Sequence, residues 1–268
     1  MKPFVYLKAT AQERPLLLSI PHTGVYVPEE IDANFASDHI RSLPMTDWHL
    51  HHLYDFLPAL GVDVLHATHS RFVVDLNRPP QPMELYPGRF ETGLVATKTF
   101  EGEEIYLRPP EDTEIDERRK RYYEPYHERL SEALEQKKQR FGRAFLIDAH
   151  SIASHATLIN GELKEHIYLG DRDGTTCVPA LTDFLDASYS INGLRVSRNF
   201  PFKGGYITHH YGGLGGVQAL QIEMCERVYM DEADPPGALA HPRFAETKEM
   251  LHRIFSELVT CLGARDFD

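Results

Sequence analysis

Apolar stretches without polar alternation recur along this chain and are separated by segments with helical periodicity. The stretch Ala144-Phe145-Leu146-Ile147 is typical of a strand that is buried on both faces of a parallel sheet. Other apolar stretches predict strands at 15–20, 62–67, 72–74, 166–169 and 217–222. Helical patterns predict helices at 46–60, 111–140, 178–185 and 240–262. This alternation predicts an α/β fold, a three-layer sandwich with a central mixed, largely parallel sheet, in one catalytic domain over 1–268.

Proline and glycine modify this outline at two places. Pro125 should kink or divide the long helix at 111–140, because proline lacks the amide hydrogen that a helix needs. The glycine run from Gly212 to Gly216 has the wrong spacing for a nucleotide-binding loop and precedes a strand. We therefore expect a flexible loop at the mouth of a site.

Chemically active side chains follow three of the predicted strands. His22 comes directly after the strand at 15–20, Asp148 and His150 follow the apolar stretch at 144–147, and Glu223 follows the strand at 217–222. Parallel strands present such groups together at their carboxyl ends. Two histidines and a glutamate at this edge predict a hydrolytic metal site.

The predicted metal ligands are His22, His150 and Asp47, since catalytic zinc sites commonly use two histidines and one carboxylate. We expect one divalent ion, and zinc is the favoured metal. Asp47 is chosen because it opens a predicted helix, and Glu29 and Asp75 remain alternatives. Asp148, two residues before His150, is more plausible as the partner that orients an imidazole.

Glu223 is the predicted general base, because a carboxylate that leaves an apolar strand should face a pocket, where burial raises its pKa. The next candidates for this role are His209, His210 and Asp148. The histidines 49, 51 and 52 are expected to lie mostly on the surface.

Arginine and asparagine side chains flank the predicted strand at 72–74. Arg71 and Arg78 can form planar, bidentate contacts with a carboxylate or stabilise an oxyanion, and Asn77 adds an amide donor. Either arginine could instead form a structural ion pair with Asp75. The three residues together favour an anion-binding pocket.

Composition and charge narrow the possible partners. A hydrophobic content of 42% and a charged content of 25% are ordinary for a soluble globular protein. The net charge of −12 argues against nucleic acid and requires a locally basic pocket for any anionic small-molecule substrate. The oligomeric state is not predicted.

The expected compartment is the cytoplasm. Cys177, Cys225 and Cys261 lack metal-type spacing and leave an odd thiol, which fits a reducing environment. Cys225 is more plausible as a buried structural thiol than as a nucleophile. We find no signal-type apolar core, and no apolar run approaches the ~20 residues that span a bilayer.

The order of these groups resembles the zinc carboxypeptidase architecture, but His22 is followed three residues later by Val25, where carboxypeptidases have a glutamate. The chain is more similar to the N-formylglutamate amidohydrolase (deformylase) family. The similar segments are Pro21 to Gly24, Thr46-Asp47, Ser70-Arg71, Asp75 to Pro80, Asp148 to Ser151, Gly204 to Thr208 and Gln221 to Glu223.

This resemblance implies a zinc-exopeptidase-like (phosphorylase/hydrolase-like) sandwich that hydrolyses N-formyl-L-glutamate to formate and L-glutamate, the end of one bacterial route of histidine degradation. Glu223 would activate water, Arg71 would face the formyl carbonyl, and Asn77 with Arg78 would hold one substrate carboxylate. Lys203 or Arg198 would take the other carboxylate, and Thr208 is also assigned to substrate binding. The alternatives are another zinc-dependent N-acyl amino acid deacylase, a carboxypeptidase, or a non-catalytic amino-acid-binding protein.

Overall fold

A mixed sheet forms the centre of the computed structural model, which describes residues 1–85, 87–156, 158 and 161–264. The strands are β1 (Phe4–Leu7), β2 (Leu16–Ile20), β3 (Asp63–Ala67), β4 (Ala144–Ile152), β5 (His155–Ala156), β6 (Gly161–Glu162), β7 (Ile167–Gly170), β8 (Val196–Arg198) and β9 (Val217–Cys225). Seven of them form one sheet in the order β1-β3-β2-β4-β9-β7-β8, and β5 pairs with β6 separately.

The middle of the sheet is parallel. β3, β2, β4 and β9 pair in parallel, and the β4–β9 pairing extends from Ala144 opposite Val217 to Ile152 opposite Cys225. β1 is antiparallel to β3, and β7 is antiparallel to β9. The carboxyl ends of β2, β4 and β9 therefore meet at one edge of the sheet, and the predicted mixed, largely parallel sheet is confirmed.

Helices cover both faces of the sheet. They are α1 (Glu29–Asp32), α2 (Asp38–Arg41), α3 (Leu50–Leu53), α4 (Asp112–Arg118), α5 (Glu124–Phe141), α6 (Pro179–Ile191), α7 (Tyr206–Gly212) and α8 (Pro242–Ala264). Short 3-10 helices lie at Leu57–Leu60, Glu226–Val228 and Pro235–Ala240. Among the residues that the structure describes, none of the helices is long and apolar enough to cross a membrane.

The strand pleat divides the core into two layers. Leu16, Leu18 and Ile20 of β2 pack with α3, α6 and α8, whereas Leu17 between them packs with α5 and α7. Successive side chains of a strand point to opposite faces, so a continuous apolar strand serves both layers. The result is the predicted three-layer α/β sandwich.

Two of the predicted elements are wrong. The helix predicted at 46–60 is reduced to α3 and one 3-10 turn, because His49 adopts a left-handed backbone (φ 58°) and Pro58 cannot donate a helical hydrogen bond. The strand predicted at 72–74 is a turn, in which the Val73 amide donates to the Ser70 carbonyl. Its apolar side chains are buried in the core, and burial rather than pairing explains the apolar run.

The proline in the long helix and the glycine run near α7 are the two other features predicted from the sequence. The helix predicted at 111–140 is divided into α4, a π-helical segment at Arg119–Tyr123 and α5, with Pro125 in the first turn of α5. The glycine run does not border the site. Gly216 accepts a hydrogen bond from Ala144 at the amino end of β4, and His150 lies about 20 Å further along that strand.

Candidate active site

Three side chains meet where the parallel strands deliver them. His22 lies in the turn that follows β2. His150 and Glu223 lie near the carboxyl ends of β4 and β9 and are directly opposite each other in the strand register. Asp148 also points to this region, because it precedes His150 by one full pleat. All four side chains are buried.

Asp47 is brought to the two histidines by a backbone contact. Its amide donates to the carbonyl oxygen of His22 (3.1 Å), which joins the segment before α3 to the turn after β2. The Asp47 Oδ2 atom lies 3.1 Å from His150 Nδ1 and 3.8 Å from His22 Nδ1. One donor atom from each residue lies within 4.8 Å of the others, so the three residues could hold a metal ion.

Asp75 orients His22 through the ring nitrogen that faces away from Asp47. The Nε2 atom of His22 lies 2.7 Å from Asp75 Oδ1, and the same oxygen accepts the Asn77 amide. Burial raises the pKa of Asp75, but Arg71 and His22 outweigh it and hold that pKa well below its ordinary value. An ionised Asp75 accepts a hydrogen bond from the Nε2–H group, which leaves the lone pair of His22 on Nδ1, a buried atom that has no hydrogen-bond partner among the described residues.

Asp148 orients His150 in the same way. The Nε2 atom of His150 lies 3.0 Å from Asp148 Oδ2, and Ser19 donates to the other oxygen of Asp148. The Asn77 side-chain amide completes this arrangement. Its Nδ2 atom lies 3.2 Å from Asp148 and 2.9 Å from His150, and its oxygen accepts the amide of Ile207.

The charges around the histidines fit a cation. Burial lowers the pKa of His22, with a further contribution from Arg71. Burial would also lower the pKa of His150, but the carboxylates of Asp148 and Asp47 outweigh it and raise that pKa well above its ordinary value. The surroundings of His150 favour a positive charge, and His22 keeps an unprotonated nitrogen. Both properties suit a divalent cation, which would replace the proton on His150.

Glu223 faces the same space from β9. Burial raises its pKa to about 8, with Asp47 and Asp148 adding to the effect and His150 and Arg71 opposing it. The side-chain amide of Gln221 donates to Glu223 (3.1 Å), and its oxygen accepts the Gly205 amide (2.7 Å). A carboxyl group with this pKa can accept and release a proton near neutral pH.

Gly205 allows the start of α7 to approach the site. A β-carbon at this position would lie 2.4 Å from the Asn77 amide nitrogen, which is too close for any side chain. The contact fixes Asn77 between α7 and the two aspartate–histidine pairs.

A cavity of about 90 Å³ unites these groups. Its polar wall contains the three potential metal ligands, Glu223 and Gln221, and its basic groups are Arg71, Arg78 and Arg89. Phe90, Phe100 and Phe202 form the apolar part of the wall. The cavity combines a potential cation site, a proton acceptor and arginines, which is suited to hydrolysis of a small anionic compound.

Known proteins with similar sequences and structures support this interpretation. The family model for N-formylglutamate amidohydrolase matches residues 14–230. An N-formylglutamate deformylase from Pseudomonas putida is 39% identical over 255 residues, covering 90% of this chain and 92% of that protein. A Pseudomonas aeruginosa protein of the same name is also 39% identical, covering 90% and 93%.

The chain belongs to the N-formylglutamate amidohydrolase family.

A crystal structure of an N-formylglutamate amidohydrolase from Ralstonia eutropha JMP134 also has this fold, with a TM-score of 0.84, 29% identity, and coverage of 98% of this chain and 99% of that one. The protein is therefore an amidohydrolase, and its cavity is the candidate active site of a member of the N-formylglutamate amidohydrolase family.

Seven of the site residues that were predicted from the sequence line this cavity. The set comprises His22, Asp47, Arg71, Asn77, Arg78, His150 and Glu223. The alternative carboxylates do not join the potential ligands. Glu29 is exposed in α1, and Asp75 contacts the opposite nitrogen of His22.

Three residues assigned to substrate binding lie outside the cavity. Lys203 forms an ion pair with Asp173 (2.6 Å), and Arg198 pairs with Asp183 and Asp186 on α6. Thr208 is fully buried within α7, and its hydroxyl does not reach the cavity wall. The structure therefore does not support a direct substrate contact for any of these three side chains.

Cys225, His209 and His210 do not line the cavity, whereas Asp148, the remaining alternative base, contacts His150. His209 and His210 are exposed on α7 and are not part of the cavity wall. Burial raises the pKa of the Cys225 thiol to about 12, which is typical of an inert structural cysteine.

Arg89 and Gln221 also belong to the cavity wall and were not predicted from the sequence. Gln221 could have been found, because it lies two residues before Glu223 and must share its face of β9. Arg89 lies in an irregular segment between Pro82 and Leu94, and no periodicity indicates where its side chain points.

We predict that replacing either proposed histidine ligand lowers the metal content. In His22→Ala and His150→Ala one of three donors is lost, while the sheet and its core remain. Metal analysis after dialysis should show clearly substoichiometric metal in both variants. His209→Ala serves as the control, because this histidine is exposed outside the cavity, and it should retain the wild-type content. Full occupancy in both cavity variants would contradict the assignment.

Proposed function

We propose that this chain hydrolyses N-formyl-L-glutamate to formate and L-glutamate in a metal-dependent reaction. The Pseudomonas relatives carry the name of this activity, and the family match covers 14–230. The observation that carries the proposal is the arrangement inside the cavity, where Glu223 faces the donor atoms of His22, Asp47 and His150 beside three arginines.

His22 Nδ1, His150 Nδ1 and Asp47 Oδ2 would hold the metal ion. Two imidazole nitrogens and one carboxylate oxygen are a donor set that zinc commonly takes in hydrolases, with a position left for water or substrate. When bound, such an ion polarises the amide carbonyl and lowers the pKa of water to about 7. Asp75 and Asp148 contact the Nε2 atoms of the two imidazoles and so orient both rings with Nδ1 toward Asp47.

Glu223 moves the proton in this proposal. Its carboxylate accepts a proton from the attacking water as the new C–O bond forms at the formyl carbon. The same group then delivers the proton to the amide nitrogen as the C–N bond breaks, which yields formic acid and the amine. At neutral pH the acid gives up its proton and the amine takes one up, so the products are formate and the ammonium form of L-glutamate. A pKa of about 8 suits a group that must both take and return a proton near neutral pH.

Arg71 supplies the donor for the developing oxyanion. One end of its guanidinium is fixed by Asp75 (2.7 Å), and its Nε atom is buried with no hydrogen-bond partner in the described part of the chain. Since Arg71 also lines the cavity, this donor is held in place before the reaction begins.

Arg78 binds a carboxylate of the substrate, and Asn77 has a different role from the one predicted. Both polar atoms of the Asn77 amide are engaged by protein groups, so Asn77 positions His150 and Asp148 rather than holding the substrate. Arg78 is held by the carbonyl and hydroxyl oxygens of Thr92 and by the Asn77 carbonyl. These neutral acceptors orient the guanidinium and leave its charge available to an anion.

The direct test is formate release by the purified, metal-loaded enzyme. N-formyl-L-glutamate should be hydrolysed with a kcat/KM far above those of N-acetyl-L-glutamate and of a peptide ending in glutamate. Preferential turnover of the acetyl compound would indicate a broader N-acyl amino acid deacylase, and preferential peptide cleavage would indicate a carboxypeptidase. Absence of turnover with all three would overturn the proposal.

We predict that Glu223→Gln retains metal and L-glutamate binding but loses about 10²–10⁴-fold in kcat, because the amide cannot accept a proton. Steady-state kinetics and titration calorimetry measure the two effects. Glu226→Gln is the matched control, since Glu226 is another buried carboxyl group three residues away that does not line this cavity. Comparable losses in both variants would point to a general electrostatic effect rather than proton transfer.

We predict different kinetic effects for the two arginines. Arg78→Ala should mainly raise KM, because a carboxylate contact exists in both the ground state and the transition state. Arg78→Lys should remain impaired, since an ammonium group cannot reproduce the bidentate fork. Arg71→Met should mainly lower kcat, by about 10²–10³-fold, because the oxyanion develops only during attack.

Removal of Arg71 also leaves Asp75 without its cation, so stability needs its own control. Arg118→Met is suitable, because Arg118 is a buried arginine that donates to the carbonyls of Phe72 and Val73 outside the cavity. It should lower the melting temperature without lowering kcat. If the Arg71 and Arg78 variants have wild-type kcat and KM, both arginines have only a structural role.

A further inference from the structure

The proposed substrate carries two carboxylates, and the cavity must compensate both. The chain has a net charge of −12, so an approaching dianion meets an unfavourable overall field unless cations lie at the site. The basic side chains in the cavity wall are Arg71, Arg78 and Arg89, and none of the described lysines belongs to that wall. Recognition of two carboxylates therefore depends on these arginines.

Arg71 is already committed to a carboxylate of the protein. Its Nη2 atom donates to Asp75 (2.7 Å), and both side chains are buried. Arg78 differs, because its contacts are with the neutral oxygens of Thr92 and Asn77, and within the described ranges no carboxylate oxygen lies within 4.0 Å of its guanidinium. Arg78 therefore accounts for one substrate carboxylate.

Arg89 reaches the same cavity from a different segment of chain. Its Nη1 atom donates to the carbonyl of Pro201 (2.7 Å), and Pro201 and Phe202 belong to the cavity wall on that side. This contact spans the space between the segment that follows Gly88 and the segment before α7. It holds an exposed guanidinium at the outer part of the wall, where a substrate group far from the scissile bond would lie.

We infer that Arg89 binds the side-chain carboxylate of the substrate, while Arg78 binds the α-carboxylate. The inference rests on the proposed function. In N-formylglutamate the α-carboxylate is attached to the carbon next to the amide nitrogen, and the side-chain carboxylate lies two carbons further out. Arg78 is half-buried and follows Asn77, which contacts His150, whereas Arg89 is exposed, so Arg78 is assigned the carboxylate that lies closer to the scissile bond.

This assignment replaces the role predicted for Lys203. The ammonium group of Lys203 is paired with Asp173 outside the cavity, whereas Arg89 is a wall residue. A planar guanidinium also suits a carboxylate better than an ammonium group does, because it can offer two parallel donors.

The experiment compares a charged substrate with its neutral isostere. In Arg89→Met, kcat/KM for N-formyl-L-glutamate should fall about 10–100-fold, the range expected for losing a hydrogen bond to a charged group. For N-formyl-L-glutamine, which lacks the side-chain charge, wild type and variant should agree within about twofold. Arg89→Lys should recover part of the discrimination.

Two variants serve as comparisons. Arg243→Met removes another exposed arginine that donates to backbone carbonyls, those of Arg227 and Met230, away from the cavity, and it should leave the substrate ratio unchanged. Lys203→Met tests the competing assignment. If this variant loses the preference for the charged substrate and Arg89→Met does not, the inference is overturned.

An equal loss for both substrates in Arg89→Met would also overturn the inference, because it would indicate a role in loop structure only. If the wild-type enzyme hydrolyses both substrates equally well, the inferred contact with the second carboxylate is wrong, but the proposed deformylase activity is not contradicted. If wild type releases no formate at all, the proposed function fails, and calorimetry still tests Arg89. In that case, L-glutamate should bind wild type at least tenfold more tightly than Arg89→Met, whereas equal binding would overturn the inference.

Discussion

Each buried imidazole of this site is held by an aspartate on the nitrogen that faces away from the cavity. A buried carboxylate is costly unless several donors satisfy it. Asp75 receives His22, Arg71 and the Asn77 amide, and Asp148 receives His150 and Ser19 with the Asn77 side chain close by. The contacts of His22 with Asp75, and of Ser19 and Asn77 with Asp148, connect segments that are remote in sequence, so contacts that help to orient the two imidazoles also join these segments to the sheet. The potential metal ligands are thus aligned by contacts that the folded chain needs in any case.

The parallel pairing of β2, β4 and β9 supplies the frame for that arrangement. The register places Ser19 opposite Asp148 and His150 opposite Glu223, so the imidazole and the carboxyl group lie side by side without any loop between them. Strands that are hydrogen bonded on both sides cannot shift one residue without turning a whole face of side chains away from its layer. This rigidity suits a site whose donor atoms must keep fixed distances.

The basic wall is built differently, from irregular chain between β3 and α4. Phe72, Val73 and Val74 are buried in the core layer under α5. The backbone amide of Asp75 donates to the Leu94 carbonyl, which connects two parts of this irregular segment. Arg71 and Arg78 emerge from this anchored part, while Arg89 projects from its exposed portion. Arg71 and Arg78 therefore lie on backbone that is attached to the core, whereas Arg89 lies in an exposed segment, where changes in sequence are tolerated more easily.

The sequence alone determined the layered α/β architecture, because continuous apolar strands such as β4 can only be buried between two layers of helices. It also indicated His22, His150 and Glu223, since parallel strands must present their carboxyl ends at one edge. Local periodicity could not show that 72–74 is a turn, because its apolar residues are buried without pairing. Nor could it choose between Asp47 and Asp75. Both are buried acids near the histidines, and only the tertiary structure shows that Asp47 faces the Nδ1 atoms while Asp75 takes the opposite nitrogen of His22. The sequence likewise did not indicate that Lys203 pairs with Asp173 while Arg89 lines the cavity, because the direction of a long charged side chain in irregular chain depends on the neighbours that folding brings to it.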